Sequence, residues 1–177
     1  MIDPEYCRLL ARYNAWTNER LYAVVAEMPD EERKRDVGAF FGSIHRTLNH
    51  LLWGDSIWLA RFTGTPYAHA AYGADLHDDF ATLARERAIA DAAILNWTQR
   101  LEAAWLASTL EYTRRADTKT VRIPAWVAVT HMFNHATHHR GQLSTLIKQA
   151  GRDPGVTDLP FMPGVAELSA NSLRRAR

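Results

Sequence analysis

An all-α four-helix bundle, with a small hairpin between its third and fourth helices, is the fold class this sequence predicts. Two features point there: four long segments keep apolar residues at helical spacing, and the breaks between them carry proline, glycine and N-capping aspartate. At 177 residues the chain fits one domain, 1–177, long enough to bury a core without disulfide or metal support. Hydrophobic residues at 47% and charged residues at 23% are ordinary for a soluble globular protein.

The first helix is expected over residues 4–28, with Asp3 as N-cap and Pro4 at the first helical position. The charged stretch PDEERKRD (29–36) reads as a connector. The second helix is expected over 40–62, stopping before Gly64, and a loop follows from 65 to 77 in which His69 and His77 are solvated. Asp78 and Asp79 suit the start of a third helix, expected over 78–107, because Phe80, Leu83, Ile89, Leu95, Trp97 and Leu101 keep helical spacing. Alternation within 110–123 suggests the hairpin, with a loose loop as the alternative. The fourth helix is expected over 124–150: Pro124 suits a first turn, Gly141 alone interrupts, and Gly151 stands where a C-terminal cap belongs. Proline and glycine in 152–164 predict an extended tail, followed by a short final helix from Val165.

Four of the eight histidines fall in HMFNHATHHR (131–140), inside that fourth helix. Residues four apart share a helix face, so His135 and His139 can aim two imidazoles at one point. Projection at about 100° per residue puts them on one apolar stripe with Ala128, Met132, Gln142, Leu143, Leu146 and Ala150. An unpaired buried polar group costs roughly 1–3 kcal/mol, and a shared metal ion removes that cost. His50, on a second helix apolar nearly all round, is the best third donor. His138 lies about 60° and His131 about 40° off the stripe, which suits supporting roles. Asp55, one turn beyond His50, is placed either to orient a ligating imidazole or to form a structural salt bridge. Asn14, Trp16, Trp53 and Trp58 are candidates to line the pocket. Arg140, Trp126, Phe133 and Ile147 project away from the stripe; such a far face points either to the bundle's own packing or to a dimer interface, and a two-fold homodimer is expected.

Three neutral imidazoles and no carboxylate suit zinc or nickel better than calcium or magnesium. Three protein ligands also leave an open position, where the ion can activate water or hold a thiolate. Lys and Arg number 21 against 20 Asp and Glu, for a formal charge of +1, so no pull toward nucleic acid or anionic membrane follows. The basic end LRRAR (173–177) reads as a solvated tail. One cysteine, Cys7, excludes an internal disulfide and reads as a small core residue in a reducing compartment. The N-terminus lacks a secretory pattern and no apolar run approaches the about 18–20 residues of a membrane span, so the chain is expected to be cytoplasmic.

The segments RYNAWTN (12–18), TLNHLLWGD (47–55), HMFNHATHHRGQ (131–142) and DPGVTDL (153–159) together resemble the DinB family of damage-inducible proteins, over nearly the whole chain. The resemblance implies up-down-down-up connectivity, a divalent metal on His50, His135 and His139, and frequent dimerisation. Some relatives in the wider superfamily use a low-molecular-weight thiol, and one such branch has a carboxylate among its ligands; here all three matching positions are histidine. Two functions follow as expectations. One is a metal-dependent enzyme that transfers a small thiol to an electrophile or hydrolyses a small substrate. The other is a non-catalytic bundle in which the ion joins two helices. A nucleic-acid repair factor is a third reading, and the near-zero charge opposes it.

Overall fold

A computed structural model describes residues 2–67, 75–114 and 117–165. Helix α1 spans Pro4–Ala26, and Asp3 caps it by accepting from the Tyr6 amide at 2.7 Å. It ends two residues before expectation, because a short helix α2, Asp30–Lys34, replaces the expected connector. Acidic residues in its first turn and basic ones in its last favour it. From α2, Arg33 Nη1 donates to the carbonyls of Met28 at 2.6 Å and Val25 at 3.1 Å, satisfying the end of α1.

Helix α3 spans Ile44–Thr63, four residues later than the expected start. Gly42 takes a positive φ of 83°, and the Ser43 hydroxyl accepts from the Arg46 amide at 3.2 Å, so the helix begins after Phe40 and Phe41 rather than with them. Gly64 closes it in the left-handed conformation, as the sequence predicts. Helix α4 spans Phe80–Gln99, with Asp79 accepting from the Thr82 amide at 2.7 Å. The single helix expected to 107 is broken at Arg100: Leu101 turns into the core, and a short α5, Ala103–Leu106, follows. The hairpin is present as β1, Thr109–Thr113, paired antiparallel with β2, Thr120–Pro124. Pro124 thus ends a strand and caps α6, Ala125–Gln149, instead of opening the helix. A 3-10 turn, Leu159–Phe161, interrupts the extended tail. The rest of the expected final helix beyond Val165, the basic tail and His69 lie outside the described residues.

The fold is mostly helical, and its side-chain contacts set the helix directions. Tyr22 meets Phe80 and Asn18 meets Asp91, so α1 and α4 are antiparallel. Asp55 meets Arg87 and Phe62 stacks on Trp97, so α3 and α4 run the same way. His50 meets His135 and Trp58 meets His131, so α3 and α6 are antiparallel. Among the described residues the core forms two apolar clusters, one around Cys7, Phe62, Ile94 and Val129, the other around Leu21, Leu48, Leu83 and Leu143. At the level between them, every long helix contributes buried polar groups: Asn14 and Asn18, Asp55, Arg87 and Asp91, and Arg140.

This layer corrects one expectation. Arg140, expected to project away, is 4% exposed and donates to Asn14 Oδ1. Phe133 and Ile147, the proposed dimer face, are buried inside the subunit, and Trp126 is partly buried against the first cluster. Helix α6 packs on both α3 and α1, so its buried arc is wider than the stripe that faces α3 alone.

Candidate metal centre

Antiparallel packing of α3 on α6 brings His50 opposite His135 and His139, and the donor atoms of all three lie within 4.8 Å of one another. A close backbone approach makes this fit. A Cβ on Gly54 would stand 2.7 Å from His135 Cε1, nearer than real side-chain atoms come, so glycine lets the imidazole lie over α3. Nε2 of His135 is 3.1 Å from Nε2 of His50 and 3.1 Å from Nε2 of His139.

Hydrogen bonding does not account for that pair of contacts. His139 Nδ1 lies 2.8 Å from Gln142 Oε1, an acceptor, so Nδ1 carries the proton and Nε2 presents a lone pair. If His135 Nε2 is protonated it can serve His139 but cannot accept from His50. If it is not, it can accept from His50 but faces His139 lone pair to lone pair. One cation shared by three lone pairs satisfies both contacts. Imidazoles bound to one ion at about 2.0–2.1 Å place their nitrogens roughly 3.0–3.4 Å apart, in keeping with the separations here.

The electrostatics keep these rings neutral. Burial, followed by the neighbouring imidazoles, holds His50 down to about 3. Burial and His139 hold His135 down to about 4, against an opposing pull from Asp55. His139 is lowered by burial, with Gln142 opposing. Phe41 stacks on His50 with ring centroids 3.9 Å apart, and Trp53 stacks 5.7 Å away.

Asp55 lies in the buried polar layer. Its Oδ2 accepts from Arg87 at 2.9 Å and from Asn14 at 3.1 Å, and Arg87 reaches Asp91 at 2.8 Å. The salt-bridge reading is therefore the one observed, although His135 still feels its charge. Asn14 belongs to that layer as well. Trp53 reaches His50, Trp58 packs on His131, and Trp16 packs on Tyr13 away from the triad. His131 and His138 border the triad, with ring centroids 5.7 Å from His135 and 4.9 Å from His139 respectively. His77, expected to be solvated, accepts through its carbonyl from buried His45 and Asn49. Cys7 is buried and its thiol is pushed up to about 11 by desolvation, which suits a core residue.

Three contributors escaped the sequence reading. Gln142 falls on the stripe, and its spacing of three from His139 is the signal for a side-chain hydrogen bond. Gly54, one turn after His50 in a buried helix, marks a close approach. Phe41 carries no comparable signal, since only the turn at Gly42 swings it over the triad.

The sequence model of the DinB family matches residues 1–171. Protein DinB of Bacillus subtilis (strain 168) is 25% identical over 155 residues, covering 84% of this chain and 88% of its own. The crystal structure of a DinB-like protein from Bacillus cereus ATCC 10987 matches with a TM-score of 0.60 at 20% identity, over 80% of this chain and 91% of that one.

Proposed function

Because the chain belongs to the DinB family, we propose that it is a metal-dependent enzyme in which His50, His135 and His139 hold one divalent ion, zinc or nickel. The observation that carries this reading is the pair of 3.1 Å separations converging on His135, which hydrogen bonding leaves one proton short. The reaction proposed is transfer of a small thiol to an electrophile, or hydrolysis of a small substrate. An ion on three protein nitrogens keeps an open position, and the chemistry it supplies there is Lewis-acid activation of thiol or water. The chain's own groups prepare that position. Gln142 Oε1 accepts from His139 Nδ1–H and so aims the other ring nitrogen of His139 at the triad. Phe41 and Trp53 flank His50 and keep water from its faces.

An up-down-down-up four-helix bundle, a two-fold homodimer and a cytoplasmic setting belong to the same proposal. The helix directions support the first. A second reading is a non-catalytic ion fastening α3 to α6, and the Phe41 ring lying on His50 favours it. Elemental analysis of the purified protein tests the site: His135→Ala and His139→Ala each lose the ion, and full retention in both overturns it. Thiol transfer that is unchanged after chelation favours the second reading.

A further inference from the structure

Arg61 lies eleven residues beyond His50 on α3, three turns on and within about 20° of the same face. Its guanidinium is half-buried and lies between two aromatic faces, 4.5 Å from the Trp58 ring and 4.2 Å from the Tyr112 ring. Among the described residues no carboxylate pairs with it, and none of its N–H donors meets an acceptor. A half-buried guanidinium with no carboxylate partner leaves its planar fork of donors to solvent or to a ligand, and that fork matches a carboxylate ligand best of all. Desolvation pulls Arg61 below its ordinary value, as expected of a cation without a counter-charge. It lines a cavity of about 300 Å³ with Ile57, Ala60, Tyr67 and Tyr112, near the lower limit for small-molecule sites. Glu111 also borders this cavity, but it is exposed and drawn to Arg122 on the paired strand at 3.5 Å.

Aromatic side chains line the stretch between this cation and the triad. Trp58, under Arg61, packs 4.9 Å from His131, and His131 lies 5.7 Å from His135, ring centroid to ring centroid. Helical rise puts Arg61 about 16 Å past His50 along the axis, and its side chain leans back one turn over Trp58, leaving roughly 10 Å to the triad.

We propose that Arg61 is the anion-recognising end of the substrate site, taking the carboxylate of an elongated small molecule whose other end reaches His50, His135 and His139. The inference rests on the metal-site reading for the far end and on Arg61 alone for the near one.

Calorimetric titration of the metal-loaded full chain with 8-mercaptooctanoate and its uncharged analogue 8-mercaptooctanol tests it. Wild type should prefer the acid by about tenfold, the worth of a desolvated charge-assisted pair. Arg61→Gln should erase that preference and leave the affinity for the alcohol intact, whereas Arg61→Lys should keep part of it. His139→Ala should weaken both thiols yet retain the acid preference. If His139→Ala changes neither affinity, the metal reading fails while the Arg61 inference stands. Equal affinity for acid and alcohol in wild type, or a preference that survives in a folded Arg61→Gln, overturns the inference and leaves Arg61 as a clamp between α3 and the hairpin. Should Arg61→Gln fail to fold, the wild-type comparison and Arg61→Lys decide, with a full tenfold preference in the lysine variant counting against recognition by the guanidinium.

Discussion

Gly54 and Gln142 carry the two sharpest predictions at the scale of single residues. Gly54→Ala places a methyl where the His135 ring lies, so it should displace that ring and lower metal content while the fold persists, read by elemental analysis beside circular dichroism. Gln142→Leu removes the acceptor that fixes the tautomer of His139 and should weaken metal affinity by about 10–100-fold, measured by competition with a chelator. A pH prediction follows from the depressed imidazoles. His50 and His135 are lowered from 6.5 to about 3 and about 4, so between pH 6.5 and 4 the unfolded chain binds more protons than the folded one. Stability of the metal-free protein should therefore rise with pH through that window and be lost on acidification from 6.5 toward 4. Urea midpoints in the presence of a chelator, taken at pH 7 and pH 5, check it; equal midpoints would mean that the rings are solvated. Legibility at this scale follows the chemistry of the sequence signals. The imidazoles at spacing four announce themselves, whereas the role of Phe41 depends on a turn whose path only the packed structure supplies.

At the scale of elements, the ends of helices were readable wherever a cap is local. Asp3, Gly64 and Asp79 all act where the sequence places them, since one side chain or one backbone conformation decides the outcome. Misplaced boundaries occur where tertiary contacts decide. Phe40 and Phe41 extend the apolar spacing of α3 but are turned out of it at Gly42, and Leu101 continues the spacing of α4 while breaking its helix to reach the core. The buried face of α6 is half legible: spacing marks the stripe toward α3, but for the arc carrying Phe133, Arg140 and Ile147 it leaves bundle packing and a dimer interface both open, and only tertiary packing decides. The buried ion pair of α3 and α4 offers a direct test of element packing. Removing Arg87 leaves two buried carboxylates, Asp55 and Asp91, without their cation, so Arg87→Ala should cost about 3–5 kcal/mol in chemical denaturation. A loss below about 1 kcal/mol would mean that the two carboxylates find water or take up protons instead.

At the scale of the whole molecule, an ion bound by both α3 and α6 should stabilise the folded chain, because the unfolded chain lacks the assembled site. Zinc or nickel should raise the melting temperature of wild type and leave that of His50→Ala unchanged; equal rises in both would place binding elsewhere. Light scattering at micromolar concentration should give twice the 20.1 kDa chain mass if the proposed homodimer forms, through a surface other than Phe133 and Ile147. The polar layer between the two apolar clusters has a further consequence, for alignment. Sliding α4 by one turn, about 5.4 Å, would carry Arg87 away from Asp55 and into the leucines of a neighbouring cluster, leaving two charges stranded in oil. The apolar surfaces alone would tolerate such a slip, since one leucine replaces another. The charges thus act as a vernier: they admit a single setting of the helices, and it is the setting in which three histidines, none of them bonded to those charges, meet at one point.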